Sequence, residues 1–226
     1  YAVQKPDEVT DLVDFKQPEI SDTDLKAPIY IDFGPTSLSA TPWNNITSHQ
    51  ESSTTSWIKD VENNYTNIGV RVLDGFTATH AGVGSEPASP VTVDGVEFPL
   101  TAWKDGLLVK GEKNQGDVGP GRIEISQLDV ARKYNFTILA IRFNGSKDAR
   151  ISSYKLVGKT ESAVKEVKTG IKDAASFAAA NFEEYIAKFE NVEPDSEGKV
   201  IVEVKGLDTG SAAEGHINAL CISLAK

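Results

Sequence analysis

The chain has no methionine, one cysteine and three histidines in 226 residues. A lone Cys221 excludes an intrachain disulfide and a cysteine zinc site. It fits either a reducing compartment or a secreted bacterial protein that does without disulfides. His49, His80 and His216 are far apart and lack ligand spacing, which argues against a histidine metal cage. Long apolar runs are also missing. Hydrophobic residues make up 39%, and stretches such as 136-FTILAI-141 fall well short of the roughly 18 residues of a membrane-spanning helix. Basic residues are outnumbered, 23 Lys and Arg against 33 Asp and Glu, giving a net charge of -10. With no basic run to offset that charge, nucleic acid is not an expected partner.

Catalytic signatures are absent too. There is no Gly-x-Ser-x-Gly elbow, and 115-QGDVGPG-121 carries Val118 where a nucleophile would stand. The segment 81-AGVGSEP-87 has Gly-x-Gly but neither the third glycine nor the following helix of a phosphate loop. The 33 acids are spread so widely that no pair stands out as the facing carboxylates of a glycosidase.

What is present is a β-rich pattern behind an acidic leader. Residues 1–27 hold seven acids, three lysines and sparse apolar positions; they read as a tether with a helical turn around 8-EVTDLVDF-15, the alternative being an acidic interaction tail. A chain starting at Tyr1 rather than Met is read as having lost an upstream piece, a removed export signal or a trimmed end, and the expected location is secreted or cell-surface.

From Pro28 onward, period-two alternation predicts strands over 28–34, 67–74, 106–112, 121–128, 134–143, 150–158, 163–169, 184–192, 199–206 and 216–224. The run 134–143 is apolar enough for a central strand. Turn signals fall at Asp94-Gly95, Asp105-Gly106, Asn144-Gly145 and 194-PDSEGK-199. The alanine-rich 171-IKDAASFAAANFEEY-185 predicts a short helix or ordered loop. Without strand–helix alternation or a repeat, about ten short strands imply an all-β antiparallel β-sandwich over residues 28–226.

Three segments carry a resemblance. The opening 30-YIDFG-34 with 42-PWNN-45, the block 128-LDVARKYNFTILAIRFNGSKDARISSYKLVG-158 and the closing 217-INALCISL-224 resemble galactose-binding-like jelly-roll domains of secreted bacterial glycan-processing proteins. The resemblance implies a jelly-roll sandwich that binds carbohydrate beside catalytic or adhesive modules. Calcium would have to come from scattered carboxylates such as Asp32, Asp60, Asp74 and Glu214; no EF-hand spacing occurs, the resemblance alone leaves a structural calcium open, and no cofactor is expected. The insert at 171–185 departs from the family pattern.

Sugar recognition needs exposed aromatic rings for C–H faces and planar donors and acceptors for hydroxyls. Trp43, Trp57 and Trp103 all fall outside the predicted strands, and Asn44 and Asn45 follow Trp43 directly. Either this segment is a stacking platform beside amide hydrogen bonders, or Pro42-Trp43 plugs one end of the sandwich while the asparagines cap backbone. The loop 142-RFNGSKDAR-150 offers Arg142, Asn144, Asp148 and Arg150, which either fork to sugar hydroxyls or a uronate carboxylate or form a local ion pair.

Asn-x-Ser/Thr sequons at Asn45, Asn64, Asn135 and Asn144 read as incidental, since Asn135 sits in the strongest strand. The expected function is non-catalytic binding of a polysaccharide or oligosaccharide. The alternatives are a structural or adhesive module positioning a partner protein, and a glycoside hydrolase or esterase built from scattered acids in a deep cleft.

Overall fold

The alternation read in the sequence becomes two packed faces. The computed structural model describes residues 25–110, 120–143, 150–206 and 214–226. Most of the acidic leader therefore lies outside the described residues, as do Asn144, Gly145 and Asp148; Leu25, near its end, is already buried in the core. The first half of the chain forms β1 (Ile29–Phe33), β2 (Trp43–Ile46), β3 (Thr54–Thr55), β4 (Gly69–Asp74), β5 (Ala78–His80), β6 (Val91–Val93), β7 (Val96–Phe98), helix α1 (Leu100–Lys104) and β8 (Gly106–Lys110). The second half forms β9 (Gly121–Ser126), β10 (Tyr134–Leu139), β11 (Arg142–Phe143), β12 (Ile151–Val157), β13 (Lys165–Lys168), β14 (Gly170–Ile171), helix α2 (Ala174–Ala178), β15 (Ile186–Val192), β16 (Val200–Gly206), β17 (Glu214–Ile217) and β18 (Ala219–Leu224).

Two large sheets face one another, one in the order β15-β10-β18-β1-β2 and the other β13-β12-β16-β9-β4-β3. Their inner faces meet in one core: Ile29, Ile31, Phe136, Ile138, Phe189 and Ile222 of the first sheet share a cluster with Val70, Ile123, Ile125, Leu156, Val202 and Val204 of the second. Burying each such side chain contributes about 1.5–3 kcal/mol. The molecule is thus the all-β sandwich that the alternation predicts. The long strands β9, β10, β12, β15, β16 and β18 pass in turn from one sheet to the other, the winding of a jelly roll.

For that reason 194–199 is a bridge between sheets rather than a hairpin within one. Its Asp195 Oδ1 accepts from the backbone of Glu197 and Lys199 at 2.8 and 2.9 Å. Pairing within the large sheets is antiparallel except where β2 lies parallel to β1, Tyr30 opposite Trp43.

The first sheet is buried on its outer face as well. There the β6–β7 hairpin, α1, α2 and a 3-10 turn at Phe182–Tyr185 build a second cluster around Phe98, Trp103, Leu139, Phe177 and Ala219. Burial on both faces explains why 134–143 reads as a nearly continuous apolar run. The predicted helix in the alanine-rich segment is α2: Asp173 caps it by accepting from Ser176 N, and Phe177 stacks on Trp103 at 4.9 Å.

Of the predicted turns, Asp94-Gly95 joins β6 to β7 with both residues at positive φ (52° and 76°), as a two-residue hairpin loop requires. Asp105-Gly106 is not a turn. Asp105 ends α1 and is fully buried, its Oδ2 accepting from Thr36 N and Oγ1 at 2.7 Å and Ser37 N at 3.1 Å. Gly106 begins β8, where a Cβ would lie 2.5 Å from the Ile217 carbonyl oxygen and 2.9 Å from His80 Nε2. Glycine is there for close approach.

The predicted strand 216–224 is two strands broken at Asn218. Its buried side chain donates to the carbonyls of Trp103 (3.0 Å) and Asp105 (2.6 Å) and accepts from Ile141 N (2.7 Å). Its backbone N donates to Leu139 O at 3.1 Å and its carbonyl accepts from Phe33 N at 2.8 Å. Removing the amide leaves buried carbonyls and an N–H unpartnered, at about 1–3 kcal/mol each. Asn218→Ala is expected to lower stability by roughly 3 kcal/mol or more in urea denaturation, and Asn218→Asp by more still, because a carboxylate cannot donate to two carbonyls. A loss within experimental error for both would refute this role.

Candidate functional site

Most of the residues predicted to meet a sugar are built into the protein. Strand β2 carries Trp43, Asn44 and Asn45. The Asn44 NH2 donates to Tyr30 O (3.0 Å) and Lys59 O (2.8 Å), and its Oδ1 accepts from Lys59 N at 2.8 Å. Asn45 Oδ1 accepts from Ser39 N at 2.8 Å and its NH2 donates to Ser39 O at 3.0 Å. Both amides tie loops to the edge of the first sheet, so the reading of them as ligand donors is corrected to that of backbone caps.

Trp103 is corrected too. It has no exposed surface and its indole N–H donates to Ser89 O at 3.2 Å, so it is a core residue that cannot stack on a ligand. Trp43 is half-buried, its ring 5.1 Å from Tyr30 and 5.8 Å from Phe98. Trp57 is half-buried as well, in a loop at φ 55°.

An aromatic surface does line a groove, through a residue the sequence reading passed over as strand. At one end the outer face of the first sheet escapes its cover. A groove of about 230 Å³ opens there, lined by Tyr30, Val96, Asn135, Thr137, Lys188 and Ser223 among others. These positions alternate along β1, β10, β15 and β18 with the buried core residues, which is what places them on one face. Tyr30 leans on Trp43. Its phenol is pushed above the ordinary value by burial, with neighbouring Cys221 adding to the shift. Asn135 accepts from Asn191 N at 3.0 Å through Oδ1, and its NH2 has no protein acceptor among the described residues. Lys188 closes one wall, pairing with Asp94 of the hairpin tip at 2.5 Å and with Glu183 at 2.7 Å.

The two arginines of the 142–150 loop come together at the other end of β10, with partners that sequence spacing could not reveal. Arg142 Nη1 donates to Ala81 O at 2.8 Å and sits 3.2 Å from His80 Nδ1. Arg150 Nη2 pairs with Glu214 Oε2 at 3.2 Å. The His80 and His216 rings meet edge to face at 5.0 Å, both buried. Burial drives both imidazoles below their ordinary pKa, helped for His80 by His216 and the two arginines, so both are neutral at pH 7. Glu214 is held down at about 2, chiefly by His216, whose Nε2 is 3.5 Å away, and further by the arginines.

The carboxylates considered for calcium are each engaged by protein. Asp60 accepts from the backbone of Glu62 and Asn64, Asp74 pairs with Arg122, Asp32 accepts from Ser39 N, and Glu214 faces Arg150. Among the described residues no three His, Cys, Asp or Glu side chains gather as a metal-binding group.

The pair Asp32 and Asp105 has some of the electrostatics of an acid–base site without its geometry. Asp32 is raised to about 7 by burial, against the opposing hydrogen bonds from Ser39, with the nearby Asp105 adding to the shift. Both residues are fully buried, holding the 34–39 segment, and neither reaches a cleft.

No family model and no curated protein matches the chain. Among solved structures, the ANX2 ectodomain from Arabidopsis thaliana is similar with a TM-score of 0.47 and 8% identity, over 77% of this chain and 48% of that one. The ANXUR2 extracellular domain from the same plant gives 0.45 and 9%, over 73% and 52%. TmCBM61, solved with beta-1,4-galactotriose, gives 0.30 and 15%, over 52% and 81%. The chain spans about half the length of the two plant ectodomains. Likeness at this level assigns no family, and the fold rests on the strand pairing described above.

Asp32 sets a pH dependence. Its folded pKa of about 7 lies above its ordinary value of 3.8, so between those pH values the folded protein keeps a proton that the unfolded chain has released. Stability from this group is therefore full below about pH 4, falls as pH rises toward 7, and is flat beyond. Asp32→Asn is expected to lose less stability than the wild type between pH 5 and pH 8 in urea denaturation. Equal losses would refute the assignment.

Proposed function

We propose that the protein is a non-catalytic carbohydrate-binding β-sandwich of galactose-binding-like jelly-roll type, acting outside the cell or at its surface. Its ligand would lie in the groove on the outer face of the first sheet. The observation that carries this reading is the composition of that groove: the Tyr30 ring, backed by Trp43, stands beside Thr137, Ser223 and the donor end of Asn135. A tyrosine face takes the C–H side of a pyranose, while hydroxyls and an amide exchange hydrogen bonds with its polar rim.

At about 230 Å³ the groove is smaller than the roughly 300 Å³ at which enclosed small-molecule sites begin. It suits one ring of a longer chain crossing the sheet, held by shallow contact. Of the three tryptophans only Trp43 has a place in this mechanism, supporting Tyr30 from behind.

The test is affinity electrophoresis through gels containing plant, host and microbial polysaccharides. The wild type is expected to be retarded by one glycan class. Thr137→Arg and Ser223→Arg fill the groove from half-exposed positions; they are expected to abolish retardation with the melting temperature within a few degrees of wild type, and Tyr30→Ala to weaken it about tenfold or more. Free migration of the wild type in every gel would overturn the reading and favour a structural module.

A further inference from the structure

The groove on the first sheet has an irregularity built into its floor. β10 and β15 pair in register from Leu139 opposite Ile186 to Phe136 opposite Phe189, and again where Tyr134 meets Val192. Between those pairs Asn135 alone opposes both Glu190 and Asn191, which is a β-bulge. Asn191 absorbs the extra residue at a φ of 58°, in the left-handed region that asparagine tolerates better than most residues. Its N–H donates not to a ladder carbonyl but to Asn135 Oδ1, at 3.0 Å. Val192 then packs against the main core again.

The bulge shapes the rim of the groove in two ways. Lys188 and Glu190, on either side of the core residue Phe189, both line it. Asn135 has its oxygen committed, so it meets the groove as a donor through its NH2. Glu190 is exposed and has no hydrogen bond or ion pair among the described residues, so its carboxylate is an open acceptor. Unpaired acids occur elsewhere on the surface; Glu190 differs in standing opposite a fixed donor on the edge of a groove. The one lysine of the lining is engaged twice over, by Asp94 at 2.5 Å and Glu183 at 2.7 Å. Lys165 of β13 gives its ammonium to the Lys188 carbonyl and covers the Phe189 ring. The charged lining residues and those bonded to them are thus three carboxylates and two engaged ammoniums. Among the described residues no arginine lines the groove.

We propose that Asn135 and Glu190 read neighbouring hydroxyls of an uncharged sugar ring, and that Glu190 excludes acidic sugars; this rests on the groove being the glycan site. One hydroxyl donates to the Glu190 carboxylate while the next accepts from the Asn135 NH2. A hydroxyl can play either part, so a fixed acceptor beside a fixed donor suits a diol. The bond to the carboxylate is charge-assisted and roughly twice as strong as a neutral one. A uronate would bring a second negative charge to a rim with no open cation to receive it, so repulsion and desolvation both oppose it. Arg142, which the sequence offers for a uronate, lies beyond the far end of β10 and does not line this groove.

The experiment is a nuclear magnetic resonance titration of the full chain that follows the Asn135 NH2 signals and the Thr137 and Ser223 amides. The ligands are glucose, galactose and mannose, each compared with its uronate at matched low ionic strength. At least one neutral sugar is expected to shift these signals saturably, with an affinity about tenfold or more above that of its uronate. Glu190→Gln removes the charge and keeps an acceptor, and should narrow that ratio to about threefold or less. Asn135→Asp keeps the acceptor for the Asn191 N–H and loses the donor. It should weaken the neutral sugar about fivefold or more while the Asn191 amide keeps its protection from hydrogen exchange. A uronate that binds as tightly as its neutral sugar, or a ratio unchanged in Glu190→Gln, would overturn the selectivity and leave the groove a glycan site. Retardation in polysaccharide gels with no monosaccharide shifting Asn135 would overturn the pair alone, whereas silence in both would overturn the groove as well. The wild-type comparison of sugar with uronate stands whether or not a variant folds.

Discussion

The buried amide of Asn218 is the constraint on which the architecture turns. It joins the end of β10, the junction of α1 with β8, and β1 through five hydrogen bonds, three from the side chain and two from the backbone. Only a side chain with two donors and an acceptor at this short reach can serve two carbonyls and one N–H together. Breaking the closing segment at this residue sends β17 to pair with β8 and β18 to pair with β1 and β10. The small sheet that carries His80 and His216 is thereby locked against the large one.

Around this knot the protein places a polar interior that an apolar sandwich does not need. Asp32 and Asp105 hold the 34–39 segment from within, and Tyr154 O–H donates to the His216 carbonyl while Ser152 accepts from the His216 N–H. Buried polar groups of this kind are stable only when partnered, and most here are. The exceptions are scattered, among them Arg71 Nε, Arg142 Nε, Thr169 Oγ1, His80 Nε2 and single oxygens of Asp32 and Asp105. An unpartnered carboxyl oxygen with no route to solvent raises its own pKa, as at Asp32.

The second layer over the first sheet decides where a ligand can lie. Packing the hairpin, α1 and the alanine-rich helix on that face turns much of it into core. What remains open is one end, bounded by the Lys188–Asp94 pair that fastens the hairpin tip to β15. The groove owes its wall to the same Asp94-Gly95 turn that the sequence announces.

The strand pattern is written in the order of the residues. Side chains alternate across a strand with period two wherever the two faces meet different surroundings, so β4, β9, β10, β12, β15 and β16 were all legible, as were the alanine-rich segment as a short helix or ordered loop and the Asp94-Gly95 turn. The sequence marked 217-INAL-220 as a feature without saying that Asn218 would break the strand. What each polar or aromatic side chain touches is set by the fold. Trp103 reads like a surface residue because it lies outside the strands, and is core because Phe177 arrives from more than seventy positions away. Asn44 and Asn45 have the chemistry of sugar ligands, and lose it because backbone groups of Tyr30, Lys59 and Ser39 use their amides. His80 and His216, with no spacing to connect them, meet because β5 and β17 pair with opposite edges of β8. Periodicity is a local property and survives in the sequence; hydrogen-bond saturation and charge balance are set by neighbours that only folding supplies.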